Sequence, residues 1–381
     1  MAHRMLICAA MCEGVSTVRG ISGCEDVSAT IDCLRTLGIK IEHDGDDVRV
    51  YGKSFADSQP SGTLECRESG STLRFFIPIA LLSGKTVMFS GAPSLMTRPM
   101  SVYEELARER GMTFIADGNT ITVKGPLTGG EFNVVGNISS QFISGLLFAL
   151  PGAKGDSTIK ITPPIESRSY IDLTLEALRL FGIRAEWSDE HTLFIPGGQR
   201  PSACDVTVEG DYSGAAFLDA LGLFGGEVEL EGLREDSTQG DKVYKRYFEM
   251  LRRGVPTVHI GDCPDLGPIL FAVAAASSGG IFDGTRRLKI KESDRASSMA
   301  EELKKFGASV RVLDDTVVVY PADFHAPSEV LYGHNDHRIV MSLAVLLTIT
   351  GGEIDGAEAV SKSYPEFFTH LSELGIKVSE I

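Results

Sequence analysis

The chain repeats one pattern of glycines six times, and this repeat limits the possible folds more than any other feature of the sequence. A glycine precedes a short predicted strand about every seventy residues, with one shorter step of 54 residues before the fifth member: Gly14, Gly84, Gly155, Gly226, Gly280 and Gly352. A repeat of this length is typical of a supersecondary unit that stacks on its neighbours to bury a shared core. The sequence therefore predicts six similar units.

A second series of glycines has the same spacing. Each unit contains an amphipathic helix that is predicted to end at a glycine, because glycine readily adopts the left-handed conformation that terminates many helices. The six positions are Gly38, Gly111, Gly182, Gly254, Gly307 and Gly375. The other helix of each unit, such as GSTLRFFIPIALL, is apolar nearly all round, which indicates a buried helix. We expect the apolar helices inside and the amphipathic helices outside.

This alternation of helices and strands predicts an α/β fold, and 381 residues are more than one domain usually contains. We predict an N-terminal domain at 1–209 with three repeats and a C-terminal domain at 210–381 with three repeats, one of which is trimmed after Gly254. The buried helix of the first unit begins at Met1, with no strand or cap before it. We therefore expect that the chain is truncated at its N-terminus.

Charge and composition exclude several classes of function. The net charge of -16 and the lack of a Lys/Arg run argue against a nucleic-acid surface, since backbone phosphates require a basic patch. No apolar run reaches the roughly 18 residues needed to cross a bilayer, so we expect no membrane insertion. The seven cysteines form no CxxC pair, which disfavours a disulfide framework or a structural zinc site and favours the cytoplasm.

Several apolar helices begin with small or polar residues, and this pattern favours anion binding. Backbone N–H groups and the helix dipole make a helix N-terminus attractive to phosphate and carboxylate groups. Arginines lie beside three of these starts, at Arg4, Arg74 and Arg338. A cation is poorly placed at a helix N-terminus unless an anion joins it. Ordinary N-capping also explains the small and polar residues, so both interpretations stay open.

Longer motifs carry a more specific signal. They include RESGSTLRFFIPIA, GNISSQFISGLL, ESRSYIDLTLEAL, VEGDYSGAAFL, STQGDKVY, KIKESDRASSMAEELKKFGA, NDHRIVM and SKSYPEFF. With these motifs the chain resembles the 5-enolpyruvylshikimate-3-phosphate (EPSP) synthase family, the 3-phosphoshikimate 1-carboxyvinyltransferases, over nearly its full length. The resemblance implies a two-domain enolpyruvyl transferase fold, an inside-out α/β barrel of six βαβαββ-type repeats with buried parallel helices in each domain.

The resemblance also implies an activity. Members of this family transfer the enolpyruvyl group of phosphoenolpyruvate to the 5-hydroxyl group of shikimate 3-phosphate and release phosphate. This reaction is a step of the shikimate pathway to chorismate and the aromatic amino acids, and it uses no metal and no organic cofactor. On this basis we expect a monomeric, cytoplasmic transferase whose partners are two small anions, phosphoenolpyruvate and shikimate 3-phosphate.

The same resemblance assigns roles to individual residues. Shikimate 3-phosphate would contact Arg4, Ser139, Ser140, Gln141, Ser167, Tyr170 and Asp265. Phosphoenolpyruvate would contact Gly70, Arg98, Arg295, Arg338 and Lys362, and Lys291 is a further substrate contact. Arginine suits such sites because its guanidinium group pairs with carboxylate and phosphate oxygens in a bidentate manner. The expected catalytic residues are Asp265 as the base, Glu292 with Lys291 as the proton donor, and His337 as an aid to the departing phosphate.

Other interpretations stay open on the sequence alone. The charged residues of KIKESDR are also typical of a solvated helix start. The family carries a Lys-Ser pair just before the position of Met1, and a chain without it could be a catalytically impaired paralogue that still binds shikimate 3-phosphate. The related UDP-N-acetylglucosamine enolpyruvyl transferases place a cysteine in the loop that here reads SLMTRPM, so the chain resembles them less. A repeat scaffold for other proteins is disfavoured, because no exposed apolar stripe is evident.

Overall fold

The six apolar helices predicted from the glycine repeat all form, and most of their side chains are buried. They belong to two units of the chain, and the boundary between the units lies between Glu209 and Gly210. Each unit has its own hydrophobic core. The computed structural model describes residues 1–380.

The elements of the first unit follow the predicted alternation. The helices are α1 (Ala2–Met11), α2 (Glu25–Thr36), α3 (Gly70–Leu81), α4 (Pro93–Met96), α5 (Ser101–Glu109), α6 (Ser140–Ala149) and α7 (Arg168–Leu180). The strands are β1 (Gly14–Arg19), β2 (Lys40–Asp44), β3 (Asp47–Gly52), β4 (Leu64–Glu65), β5 (Thr86–Ser90), β6 (Thr113–Asp117), β7 (Thr120–Lys124), β8 (Gly130–Val135), β9 (Ser157–Thr162), β10 (Glu186–Trp187), β11 (Thr192–Ile195) and β12 (Val206–Thr207).

Within residues 1–209, three four-stranded sheets share one topology. In each sheet a parallel pair of strands is extended on one side by two antiparallel strands, in the orders β12-β1-β3-β2, β4-β5-β7-β6 and β8-β9-β11-β10. The parallel edge strand of the first sheet is β12, which pairs with β1 through Val206 and Val18. The first of the six repeats therefore obtains its edge strand from a segment that follows the third repeat.

The apolar helices α1, α3 and α6 form the centre of the first core. Every side chain from Met5 to Cys12 is buried, and so is nearly all of α3. The hydroxyl group of Tyr103 in α5 donates a hydrogen bond to the backbone oxygen of Arg74 at 2.7 Å and lies 3.2 Å from that of Phe142. These contacts tie the amphipathic helix α5 to α3 and α6. The predicted division into inner and outer helices is confirmed here, because α5 buries Val102 and exposes its acidic side chains.

The second unit contains the remaining elements. Its helices are α8 (Tyr212–Asp219), α9 (Tyr244–Arg253), α10 (Gly267–Ala275), α11 (Arg295–Lys305), α12 (His337–Thr350) and α13 (Phe367–Glu373). Its strands are β13 (Thr257–His259), β14 (Gly280–Asp283), β15 (Ser309–Val312), β16 (Thr316–Tyr320), β17 (Leu331–Tyr332) and β18 (Ile354–Asp355). Short 3-10 helices occupy Ala220–Phe224, Gly240–Val243, Pro264–Leu266, Arg286–Ile290 and Ala357–Lys362.

The sheet β13-β14-β16-β15 repeats the topology of the first unit, with β13 parallel to β14. The strand predicted after Gly226 is wrong, because residues 226–231 form neither a strand nor a helix. In four of the other five repeats this strand pairs with a hairpin, as β14 pairs with β16, whereas β18 of the sixth repeat forms a two-stranded sheet with β17. This hairpin is missing after Gly254, where the chain forms only β13. The backbone after Gly226 therefore has no hairpin strand with which to form hydrogen bonds.

The glycines of the second series end the amphipathic helices as predicted. Gly38 follows α2 with a φ of +87°, a conformation that residues with a Cβ atom rarely adopt, and its N–H group donates to the backbone oxygen of Arg35 at 2.8 Å. Gly307 ends α11 in the same manner, with a φ of +88°. Across residues 1–380, no helix has both the length and the apolar character needed to cross a membrane.

Candidate functional site

Arg295 lies at the centre of a charged cluster in the second unit. It is the first residue of α11, and the side chain of Asp294 caps this helix. The Arg295 side chain is only 1% exposed, and its guanidinium group donates to three carboxylates: Asp336 Oδ2 at 2.8 Å, Asp265 Oδ1 at 2.8 Å and Glu292 Oε2 at 2.6 Å. Burial alone would lower the pKa of Arg295, but these negative charges outweigh burial and raise it.

Asp265 contacts three cations. It lies in the 3-10 helix directly before α10, and its Oδ1 accepts hydrogen bonds from Lys291 Nζ at 3.0 Å and from Arg295. Its Oδ2 lies 3.3 Å from Arg338 Nη2, and Arg338 Nη1 donates to its backbone oxygen at 3.3 Å. Burial alone would raise the pKa of Asp265, but the charges of Arg338, Lys291 and Arg295 lower it well below its usual range. The carboxylate is therefore ionised and firmly held.

The N-terminus of α12 joins the same cluster. Asp336 is fully buried, caps α12 by accepting from the backbone N–H of Arg338 at 3.0 Å, and accepts from Ser293 Oγ at 3.1 Å. The next residue, His337, is also buried, and burial lowers its pKa to about 4 despite the opposing charge of Asp336. The imidazole is thus neutral near pH 7. Among residues 1–380, its Nδ1 atom has no hydrogen-bond partner.

Two lysines complete the cluster in the second unit. Burial lowers the pKa of Lys291, although Asp265 opposes this effect. Lys362, at the end of a 3-10 helix, donates to Asn335 O at 2.6 Å and to Asn335 Oδ1 at 2.7 Å, and Asn335 directly precedes the Asp336 cap. The second unit therefore brings together every site residue that the sequence predicted between 210 and 381: Asp265, Lys291, Glu292, Arg295, His337, Arg338 and Lys362.

In the first unit, α3 and α6 meet at their N-termini. The side chain of Ser139 caps α6 by accepting from the backbone N–H of Gln141 at 3.3 Å, and Ser140 is the buried first residue of the helix. The Gln141 side chain donates from Nε2 to Ser71 Oγ at 2.9 Å and accepts from Arg74 Nη1 at 2.6 Å. At these helix starts, polar residues therefore both cap the helix and contact one another.

Gly70, the first residue of α3, faces the same polar group. A Cβ atom added at Gly70 would lie 2.9 Å from Arg98 Nη1, 3.6 Å from Arg74 Nη1 and 3.8 Å from Gln141 Oε1. Two guanidinium groups therefore approach the start of a buried helix, an arrangement that suits an anion. Of the predicted residues, Gly70, Arg98 and Gln141 are brought together here.

Arg4 connects the first turn of α1 to α7. Its Nε donates to Thr174 Oγ1 at 2.9 Å, its Nη2 donates to the backbone oxygen of Tyr170 at 3.3 Å, and its guanidinium carbon lies 5.5 Å from the centre of the Phe75 ring. Burial lowers the pKa of Arg4 to about 10, so the side chain stays charged near pH 7. Ser167, directly before α7, is fully buried and has a φ of +55°. Arg4, Ser167 and Tyr170 therefore lie around the start of α7.

The sequence of nearly the whole chain matches a family model. The model describes EPSP synthase (3-phosphoshikimate 1-carboxyvinyltransferase), and the match covers residues 1–371. The chain belongs to the EPSP synthase family. A 3-phosphoshikimate 1-carboxyvinyltransferase of Clostridium novyi (strain NT) is 37% identical over 412 residues, which cover 100% of this chain and 94% of the relative. Its counterpart from Clostridium perfringens (strain 13 / Type A) is 39% identical over 399 residues, with 98% and 93% covered.

Solved structures of EPSP synthase have the same fold. An EPSP synthase from Acinetobacter baumannii superposes with a TM-score of 0.80 at 23% identity, covering 100% of this chain and 94% of that one. The enolpyruvyl transferase NikO from Streptomyces tendae superposes with a TM-score of 0.74 at 15% identity, covering 99% and 93%. The predicted family and the predicted α/β enolpyruvyl transferase fold are therefore confirmed.

One cluster of side chains in this EPSP synthase family member has the composition of a metal site. It consists of Glu301, Glu302 and His334, whose ligand atoms lie within 4.8 Å of one another. The fully buried Glu302 already accepts from Lys305 Nζ with both oxygens, at 2.9 and 3.1 Å, and from the backbone N–H of Tyr332 at 2.9 Å. Lys305 thus supplies the positive charge that a metal ion would bring, and the group supports the protein structure.

Sequence reasoning missed Asp241, which is buried within the second unit and accepts a hydrogen bond from the hydroxyl group of Ser213. It lies in the stretch STQGDKVY, which contributed to the resemblance but suggested no role for a particular residue. Thr174, which bonds to Arg4, was missed as well. Neither residue stands out by type or spacing, because an Asp in a polar loop and a Thr in an amphipathic helix are usually exposed or merely packed.

Proposed function

We propose that this protein transfers the enolpyruvyl group of phosphoenolpyruvate to the 5-hydroxyl group of shikimate 3-phosphate and releases phosphate. The observation that carries the proposal is the Arg295 cluster, in which three cations surround Asp265 at 2.8 to 3.3 Å. Both substrates are anions, and the reaction moves negative charge onto a departing phosphate. Fixed cations in a buried site stabilise such charge without having to reorient, which is the main contribution to catalysis in many enzymes.

Asp265 is proposed as the base that accepts the proton of the attacking hydroxyl group. In the structure its low pKa makes it a weak base, because its three cations stabilise the ionised form. Substrate phosphate and carboxylate groups that bind Arg295 and Arg338 would draw these cations away from Asp265. Its pKa would then rise towards the range in which it accepts a proton, so substrate binding would itself activate the base.

The methylene carbon of phosphoenolpyruvate must receive a proton as the hydroxyl oxygen attacks the neighbouring carbon. We assign this proton to Glu292 with Lys291, which are adjacent in sequence and lie on either side of the Asp265–Arg295 ion pair. Burial lowers the pKa of Lys291 and makes its ammonium group a stronger acid. Expulsion of phosphate from the tetrahedral adduct, with return of a proton from the new methyl group to the Glu292–Lys291 pair that supplied one, completes the reaction. The neutral His337 would then donate a hydrogen bond to the phosphate.

The first unit is proposed to hold shikimate 3-phosphate. Helix starts and side chains that prefer anions occur there in two places, around Gln141 with Arg74 and around Arg4 with Tyr170. The phosphate would contact Ser139, Ser140, Ser167 and Arg4, and the ring would lie beside Gln141 and Tyr170. We therefore propose residues 1–209 and 210–381 as two domains of three repeats each, with shikimate 3-phosphate bound by the first.

The test is phosphate release by the purified protein, with shikimate 3-phosphate and phosphoenolpyruvate present together or singly. The proposal requires release only when both are present, together with the mass of the enolpyruvyl product. Binding of shikimate 3-phosphate without any release would support the impaired paralogue instead. Release with UDP-N-acetylglucosamine in place of shikimate 3-phosphate would indicate the related transferase activity.

Adding one methyl group at Gly70 should weaken phosphoenolpyruvate binding specifically. In Gly70→Ala the new Cβ lies 2.9 Å from Arg98 Nη1, so the guanidinium group must move away from the start of α3. We expect KM for phosphoenolpyruvate to rise by about tenfold, equivalent to about 1.4 kcal/mol, while KM for shikimate 3-phosphate changes little. Steady-state kinetics with each substrate varied in turn will measure both values.

A matched control for this variant is Gly222→Ala. Gly222 has no atom within 4 Å of an added Cβ, so the same change there should leave both KM values unaltered. An unchanged KM for phosphoenolpyruvate in Gly70→Ala would show that the position of Arg98 does not determine binding of this substrate.

We also propose that the protein acts as a monomer in the cytoplasm. Its seven cysteines are all free, and six of them are buried, which suits a reducing compartment. Size-exclusion chromatography with light scattering will test the oligomeric state directly.

A further inference from the structure

Glu302 is a fully buried carboxylate on helix α11, two helical turns after Arg295. Its Oε2 accepts from the backbone N–H of Tyr332 at 2.9 Å, and its Oε1 accepts from Nε2 of His334 at 3.1 Å. Lys305 balances its charge by donating to Oε1 at 3.1 Å and to Oε2 at 2.9 Å. Glu302 therefore holds the chain at two places just before helix α12.

The segment that Glu302 contacts contains a tight turn. The backbone N–H of Asp336 donates to the backbone oxygen of Gly333 at 2.9 Å. The two central residues of this turn, His334 and Asn335, have φ values of +50° and +51°. This left-handed conformation is unfavourable for residues with a Cβ atom, and it persists where the surrounding structure holds it in place. The partners of the two central residues therefore help to keep the turn in this shape.

Both central residues have such a partner. His334 donates to Glu302, as described above. Asn335 accepts from Lys362, whose Nζ lies 2.6 Å from the backbone oxygen of Asn335 and 2.7 Å from its side-chain Oδ1. Two acceptors on one residue fix the position of the ammonium group in return. Lys362 is only 8% exposed, and it is one of the proposed contacts of phosphoenolpyruvate.

Helix α11 holds this turn on both sides of Asn335. At the start of the helix, Arg295 donates to the buried carboxylate of Asp336 at 2.8 Å. Further along the helix, Glu302 accepts from His334. An attachment at Asp336 alone would fix only the end of the turn, whereas attachments on both sides also fix the direction in which the acceptors of Asn335 point. The contact between Glu302 and His334 therefore bears on the site.

We propose that Glu302 is a positioning residue for phosphoenolpyruvate: through His334 it fixes the turn at 333–336, whose Asn335 holds the ammonium group of Lys362 where the substrate binds. The inference rests on the proposed function, because it takes Lys362 as a contact of phosphoenolpyruvate. A carboxylate is needed at Glu302, since donors reach it at both oxygens and a glutamine side chain has only one acceptor oxygen.

Steady-state kinetics of Glu302→Gln test the inference. We expect KM for phosphoenolpyruvate to rise by about three- to tenfold, the usual effect of losing one hydrogen bond. KM for shikimate 3-phosphate should change little, because the turn contacts Lys362 and no residue proposed for that substrate's phosphate. Glu301→Gln is the matched control, since the neighbouring Glu301 is exposed and loses the same charge, so both of its KM values should match the unchanged protein.

A second variant guards against misfolding, because Glu302→Gln removes the charged partner of Lys305. His334→Asn keeps the ion pair of Glu302 with Lys305, and asparagine tolerates a positive φ. Its side chain is too short to make the contact that Nε2 of His334 makes, so KM for phosphoenolpyruvate should rise here as well. His325→Asn, the same change at an exposed histidine, should leave both KM values unaltered. Unaltered KM for phosphoenolpyruvate in His334→Asn would overturn the inference.

A double variant separates positioning from a general structural effect. If the turn acts through Lys362, adding His334→Asn to Lys362→Met should not raise KM for phosphoenolpyruvate any further. An equal rise with and without Lys362 would contradict the inference, because independent effects add.

Labelling of lysines with an amine-reactive reagent needs no turnover, so it distinguishes this inference from the proposed function. Lys362 is buried against Asn335 and should react faster in His334→Asn than in the unchanged protein. The exposed Lys377 serves as the internal reference, and mass spectrometry measures both rates. An unaltered rate at Lys362 would overturn the inference even if the enzyme is active. Faster labelling in a protein that releases no phosphate would support the positioning by Glu302 while the transferase proposal failed.

Discussion

Replacing Arg295 with methionine is expected to abolish turnover and to destabilise the second unit. The guanidinium group is the shared partner of three carboxylates, and Asp336 among them is fully buried. Removing one member of a buried ion cluster leaves uncompensated charge and typically costs about 3–5 kcal/mol. The same change removes a cation proposed to bind phosphoenolpyruvate, so we expect phosphate release to fall by about a thousandfold or more.

Urea unfolding and phosphate release will measure the two effects of Arg295→Met. Arg286→Met is the matched control, because its partner Asp314 at 3.0 Å and Arg286 itself are both exposed. An exposed pair contributes about 0–1 kcal/mol, so the control should keep its stability and activity. Comparable losses in both variants would show that the cluster has no special energetic role.

The stability defect of Arg295→Met should depend on pH. In the unchanged protein Asp336 has a lowered pKa, with the charge of Arg295 outweighing burial, so the stability it contributes is present above the unfolded pKa of about 4 and is lost only below it. In the variant, burial without Arg295 should raise the pKa of Asp336 above its unfolded value. Protonation of Asp336 as the pH falls from about 8 to about 5 should then remove its uncompensated charge. The unfolding free energies of the variant and the unchanged protein should therefore differ less at about pH 5 than at about pH 8.

The repeat and the buried helices could be predicted from the sequence because they depend on local patterns. A helix such as α10, GPILFAVAA, has no polar face and must be buried wherever it packs, and glycines such as Gly38 are needed where the chain turns sharply. The strand predicted after Gly226 was wrong because its formation depends on a distant part of the chain. A strand forms only if another strand offers it hydrogen bonds, and the trimmed segment after Gly254 removes that partner far along the chain.

The site was predictable in its residues but not in its charge arrangement. Motif resemblance identified Asp265, Arg295 and Arg338, yet nothing in their spacing indicates that the guanidinium group of Arg295 bridges three carboxylates from three segments. The depressed pKa of Asp265 follows only from those distances. Asp241 escaped prediction because the burial of the 3-10 helix Gly240–Val243 depends on tertiary packing.

Asp265→Asn should lower turnover by about a thousandfold, while shikimate 3-phosphate binding stays within about tenfold. Asparagine preserves the shape of the side chain and can still accept hydrogen bonds from Lys291 and Arg295 through its amide oxygen. It cannot accept a proton from the attacking hydroxyl group under the conditions of the reaction. Phosphate release under single-turnover conditions will report the chemical step, and calorimetry with shikimate 3-phosphate will report binding.

Asp265→Asn tests the proposed base role because it should lower turnover much more than it lowers binding of shikimate 3-phosphate. Asp265 neutralises part of the charge of three cations, so its loss leaves these cations more available to anions, and binding has no electrostatic reason to weaken. Asp262→Asn, an exposed change three residues earlier, should alter neither quantity. If Asp265→Asn lost binding and turnover to the same extent, Asp265 would be a structural member of the cluster, and the base would have to be sought among the other buried carboxylates.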